Sequence, residues 1–188
     1  MLQQKGDKMK KFLYTAIAAL GVFCATNTYA DFYAGAGYGL GFNGGSATLN
    51  NVKGDYKQST FYSLNAGYVM PLPAFDIRGE IEYLRTRPAV KGQHARRLDA
   101  LMGTLSAVIP VVPFLDPYVG FGLGYARFDH SNTQAWQYHM GIEYKFAETP
   151  FAVGAEYRYL KLTDTCGKGA NTSKYHSNVG MLKLKYFF

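Results

Sequence analysis

With 188 residues, the chain is long enough for one domain with a sizeable core and short for two. Apolar residues make up 48% and charged ones 18%, which argues against disorder; no stretch reaches the roughly 18 apolar residues of a spanning helix, which excludes a polytopic helical membrane protein. The net charge of +7 points to anionic partners, but part of it belongs to a leader, and 16 Tyr, 13 Phe and 21 Gly favour many short strands.

Lys8, Lys10 and Lys11 precede a thirteen-residue apolar run, Phe12 to Cys24, followed by a polar stretch to Thr28-Tyr29-Ala30. This is the pattern of a secretory signal peptide over residues 1–30, cleaved after Ala30, with Met9 as a candidate true start. Phe23 before Cys24 is too large for a lipoprotein signal. Loss of four Lys and one Asp takes 20 basic and 13 acidic residues to 16 and 12, a net of +4. That is too little to argue for nucleic acid. Cys166 is then alone, so no internal disulfide is expected.

From Asp31 onward the apolar period is two. In the first strand, Phe32 to Phe42, the residues Phe32, Ala34, Ala36, Tyr38, Leu40 and Phe42 oppose Tyr33, Gly35, Gly37, Gly39 and Gly41. The second, about Ser59 to Met70, sets Tyr62, Leu64, Ala66, Tyr68 and Met70 against Ser63, Asn65 and Gly67. In the third, Phe75, Ile77, Ile81 and Tyr83 oppose Asp76, Arg78, Glu80 and Glu82. The fourth, about Leu98 to Ile109, is more apolar on both faces, and the fifth sets Val119, Phe121, Leu123 and Tyr125 against Tyr118, Gly120, Gly122 and Gly124. The sixth opposes Trp136, Tyr138, Met140, Ile142, Tyr144 and Phe146 to Gln137, His139, Gly141, Glu143 and Lys145. The seventh sets Val153, Ala155, Tyr157 and Tyr159 against Gly154, Glu156 and Arg158, and the last sets Leu182, Leu184, Tyr186 and Phe188 against Lys183 and Lys185.

The connections alternate. Residues 71–74, 110–117 and 147–150 are short and hold six of the seven prolines, whereas 43–58, 88–96, 129–133 and 163–176 are polar. Short turns at one end and longer loops at the other predict an all-β, eight-stranded, up-and-down transmembrane barrel over residues 31–188, with both termini on the periplasmic side. A soluble eight-stranded barrel would point its apolar face inward. Tyr and Phe at the strand ends, the bare glycine face of two strands and the terminal Tyr186-Phe187-Phe188 all favour the membrane form.

The stretches Arg78-Gly-Glu-Ile-Glu-Tyr83, Pro117-Tyr-Val-Gly-Phe-Gly-Leu-Gly-Tyr-Ala126 and Gly154-Ala-Glu-Tyr-Arg-Tyr159, with a terminal strand closing on Phe188, carry a resemblance. Together they resemble the small outer-membrane beta-barrel family of OmpA-type and Opa-like surface proteins and porin-like surface antigens of alphaproteobacteria. The resemblance covers residues 31–188 and implies an integral protein of the Gram-negative outer membrane with extracellular loops. It further implies that Phe188, with Tyr186 two residues before it, is read by the barrel-assembly machinery. No peptidoglycan-binding domain is expected.

Eight strands enclose a space that side chains fill. The predicted lumen brings Asp76, Glu80, Glu82, Glu143 and Glu156 against Arg78, Lys145, Arg158, Lys183 and Lys185. Five acids against five bases fit a desolvated space, and the glycines of the opposed first and fifth strands leave room for an ion-pair plug. A narrow conducting path through re-pairing charges is the competing reading. No enzyme chemistry is expected. His176 and Ser177, as neighbours on a strand, point to opposite faces, and His139 and Glu143 are roughly 13 Å apart along theirs. His94, His130, His139 and His176 lie in separate segments, so neither a metal nor another cofactor is expected.

Contacts should lie on the loops. Loop two and its flanks carry Arg85, Arg87, Lys91, Arg96 and Arg97, with His94 among them and no acid between. Lys53, Lys57, Lys168 and Lys174 extend a basic rim that attracts phosphates or sulfated sugars. Lys91, His94, Arg96 and Arg97 are the candidate contacts, with membrane lipids, the phosphates of lipopolysaccharide or an anionic host receptor as partners. Loop one, with Gly44-Gly45, Asn50-Asn51 and Gly54, reads as mobile. The expected protein is a monomeric, structural surface barrel; a host-cell adhesin and a low-conductance porin-like channel are the alternatives.

Overall fold

The computed structural model describes residues 31–42, 46–49, 52–55, 59–87, 97–112, 114–128, 131–163, 165–166, 172–173 and 175–188. The leader, residues 1–30, and Lys91, His94 and Arg96 lie outside the described residues. Eight long strands form the wall: β1 (Asp31–Phe42), β2 (Ser59–Pro71), β3 (Asp76–Thr86), β4 (Leu98–Val108), β5 (Leu115–Phe128), β6 (Ser131–Lys145), β7 (Phe151–Leu162) and β8 (His176–Phe187). Each pairs antiparallel with its chain neighbour, and β1 closes on β8 with Tyr33 opposite Phe187. Closure leaves no unpaired edge in the wall.

Alternation along each strand sorts the two faces as the sequence predicts. Leu64, Leu105, Leu123 and Leu182 stand outward, each more than 60% exposed, a wall costly in water and at home in hydrocarbon. At the short-turn end the wall is edged by Phe32 on Tyr68 (5.2 Å), Phe114 on Tyr144 (5.9 Å) and Phe151 on Tyr186 (5.3 Å). Toward the long loops stand Tyr38 on Tyr62 (5.5 Å), the Tyr138–Tyr159 stack (5.0 Å) and Trp136. These are the two interfacial girdles.

The strands run further toward the loops than periodicity implied. Arg127 pairs with Asn132 and Phe128 with Ser131, so β6 begins inside the stretch 129–133 read as loop. Likewise β8 begins at His176. Beyond the apolar belt water can meet the outward face, so the ladder continues without the apolar alternation that announces it. Loop one is also partly ordered into structure rather than wholly irregular. Ser46–Leu49 pairs with Val52–Asp55, and Ala47 with Ser173 of the last loop, joining both loops in a four-stranded sheet.

Inward glycines matter where strands approach. A Cβ on Gly124 would overlap the Leu101 carbonyl and lie 2.8 Å from the Met102 Cα, whereas one on outward Gly103 would have its nearest neighbour at 3.8 Å. Gly124→Ala is therefore expected to lower stability by about 1–3 kcal/mol. Gly103→Ala should change it far less. Urea unfolding of both in detergent micelles checks this.

Candidate functional site

The lumen is filled in two storeys. Nearest the long loops lies an apolar storey of Phe61, Leu84, Leu98, Met102, Leu160, Leu162, Val179 and Met181, all buried, with Tyr175 and small alanines between. Below it, toward the short turns, lies an ionic storey. The same inward parity produces both: on β3 Leu84 follows Glu82, on β7 Leu160 follows Arg158, and on β8 Met181 precedes Lys183.

Arg158, wholly buried, is the hub of the ionic storey. It donates to Glu82 at 2.7 and 3.0 Å and to Glu156 at 2.6 and 3.0 Å. Lys183 Nζ lies 3.0 Å from Glu156, 3.4 Å from Glu80 and 3.5 Å from Glu82. Glu80 also accepts from the Tyr33 hydroxyl (2.7 Å) and the Asn65 amide (2.6 Å), and Glu156 from Tyr118 (3.0 Å). Nearer the short turns, Arg78 grips Glu143 with both terminal nitrogens (2.8 and 3.2 Å), and Lys185 adds a contact at 2.6 Å. Arg78 and Lys185 both lie over the rings of Tyr33 and Tyr118. Three acids meet two bases in the first group and one acid meets two bases in the second, so the storey is neutral as a whole. Neutrality and dense hydrogen bonding are what burial of so many charges requires, although Arg78 Nε and Asn65 Oδ1 have no described partner.

Two residues assigned to this network stand apart. Lys145 pairs with Asp116 at 2.8 Å at the short-turn rim, because β5 begins early enough to place Asp116 inward beside it. Asp76, at the first position of β3, is only half-buried and forms no ion pair among the described residues. Asp116 and the hydrogen-bonding partners Tyr33, Asn65, Tyr118 and Gln137 were not assigned to the site from sequence. Their inward parity was the available signal.

His139 meets Ser106 rather than Glu143: Ser106 Oγ and His139 Nε2 are 2.9 Å apart, both buried. No described group hydrogen-bonds the other ring nitrogen, where a catalytic dyad holds an orienting partner. His176 stacks on Tyr159 on the outer wall, while Ser177 is buried inside. Among the described residues no three His, Cys, Asp or Glu converge as metal ligands.

On the outer wall, at the long-loop end, Arg97 sits beside Asp99 with Nε 2.5 Å from Oδ2. Arg85 donates to the other oxygen of Asp99 at 2.8 Å, and Tyr83 donates to it at 2.6 Å. At the chain's end, Tyr186 packs edge-on against Phe188 (5.1 Å), whose amide donates to the Phe32 carbonyl (2.9 Å).

Residues 15–188 match the family model of the outer membrane protein beta-barrel domain. Among solved structures the chain is similar to Neisserial surface protein A (TM-score 0.66, 14% identity, covering 84% of this chain and 97% of that one). It is also similar to the attachment invasion locus protein Ail of Yersinia pestis (0.55, 14%, 86% and 100%) and to OprG from Pseudomonas aeruginosa (0.52, 17%, 85% and 96%). At these identities the likeness is one of fold. No curated protein sequence matches the chain.

Proposed function

The chain belongs to the outer membrane protein beta-barrel domain family and resides in the Gram-negative outer membrane, and from that premise we propose that it is a structural surface barrel with a filled lumen, making its contacts at the loop end. The observation that carries this reading is the stacking of a buried apolar storey on a neutral ionic one. A path for ions would have to cross both. Residues 1–30 serve as the export signal, Tyr186 and Phe188 as the signal for the assembly machinery, and the barrel acts as a monomer without a cofactor. The Ser106–His139 pair has neither an orienting acid nor exposure to a substrate, which supports a non-enzymatic role.

A second reading, adhesion to an anionic host receptor, draws on Arg97 and Arg87, both exposed at the loop end, with Lys91, His94 and Arg96 in the loop between. Display of the barrel on a non-adherent bacterium tests the two. The structural reading expects no gain in attachment to host cells. Attachment that disappears when Lys91, Arg96 and Arg97 are replaced by Gln would establish the adhesin in its place.

A further inference from the structure

Four arginines stand on one stretch of outer wall. Arg85 of β3 and Arg127 of β5 flank Asp99 of β4 in register, on the same outward face, and Arg87 and Arg97 sit just above. Asp99 is the only carboxylate with which any of them forms an ion pair among the described residues, taking Arg85 and Arg97 together. Arg87 and Arg127 are exposed and make no ion pair among those residues. Among the described residues the patch therefore carries an excess of three positive charges. Tyr62, Tyr83 and Tyr125 lie at or just below it, and outward Leu64, Leu101 and Leu123 continue the wall into the apolar belt.

Beside it a groove of about 750 Å³ runs against β1–β3, with Leu64 and Ala36 toward the belt and Tyr62, Tyr83, Arg85 and Arg87 toward the loops. Apolar below and cationic above, it has the polarity of a lipid whose phosphate lies at the height of the tyrosines. Cations on a wall just above the apolar belt stand at the height where the anionic headgroups of the same membrane reach them. Guanidinium forks suit phosphate oxygens, and Asp99, held by Tyr83, fixes two of these forks side by side.

We propose that this wall is a binding site for a phosphorylated glycolipid of the outer leaflet, its phosphate on Arg85, Arg97 and Arg127 and an acyl chain along Leu64. The site rests on the membrane placement of the barrel and specifies one lipid partner of the surface-protein reading. A soluble acidic partner would approach the loops from above, whereas these side chains point sideways at the height of the lipid headgroups.

The test is native mass spectrometry of the folded, full-length barrel in detergent micelles, titrated with bisphosphorylated lipid A, the same lipid dephosphorylated, and phosphatidylglycerol. The expected result is a one-to-one complex with bisphosphorylated lipid A at about tenfold lower concentration than with either other lipid. Arg85→Gln with Arg127→Gln should lose about tenfold in that affinity, while Lys161→Gln, on the opposite wall, should retain it. Equal binding of the dephosphorylated lipid, or an unaffected double variant, overturns the site. Heat-dependent gel mobility shows whether each variant is folded, and if the double variant is not, the wild-type phosphate preference decides alone. Host-cell attachment and conductance report on the surface-barrel reading, so either proposal can fail without the other.

Discussion

Replacing Arg158 with Met should lower the unfolding free energy of the barrel by about 3–5 kcal/mol, the cost of leaving buried charge uncompensated. Arg158 is fully buried and donates four hydrogen bonds to Glu82 and Glu156. Without it, Lys183 is the one described base left in contact with Glu80, Glu82 and Glu156, and its contacts with the first two are 3.4 and 3.5 Å. The matched variant is Arg158→Met combined with Glu82→Gln, which removes one charge of each sign. It should recover a large part of the loss, because the penalty lies in the orphaned carboxylate rather than in the missing attraction. Urea unfolding followed by the fluorescence of Trp136, the sole tryptophan, measures both. If the single variant proves as stable as wild type, the ionic storey is not desolvated in the way its burial implies.

Planar bilayers holding the wild-type barrel should show no single-channel steps. Neutralising the ionic storey should not create them either: with Glu80→Gln or Arg158→Met, the storey of Phe61, Leu84, Met102, Leu160 and Met181 still closes the lumen above. Steps demand both storeys, so Phe61→Ala, Leu84→Ala and Met102→Ala must be added to the ionic change before water can run through. Each truncation of this kind costs about 2–5 kcal/mol, so unfolding is expected to precede conduction. Steady steps from the wild-type protein that shift when Glu80 or Arg158 is neutralised would instead establish the narrow channel and remove the filled-lumen reading.

Period-two alternation determined the strand count and the faces, because in a barrel each residue has only two directions to point and one of them is lipid, and the alternation of short turns with longer loops added the closed antiparallel order. The period of two also placed Glu80, Glu82, Glu143, Glu156, Arg78, Arg158, Lys183 and Lys185 together inside. It failed where the environment stops being two-sided. Past the apolar belt the outward face of β6 meets water at Asn132 and Gln134, so no contrast announces the strand, although the ladder runs on to Ser131. Loop one's pairing with the last loop lies between segments far apart in the chain, which no local pattern records.

Only the tertiary structure decided the height of each inward residue, which depends on the relative register of eight strands. Height is what separates Leu84, Leu160 and Met181 from the charges two residues along their strands, and what hands Lys145 to Asp116 rather than to the central cluster. The same register sets Arg85, Asp99 and Arg127 side by side on three strands, a charge excess on the wall that their separate places in the chain do not disclose. Parity is a property of one strand and can be read from it; depth belongs to the closed barrel, because turn geometry and side-chain packing between neighbours fix how far each strand is shifted along the next.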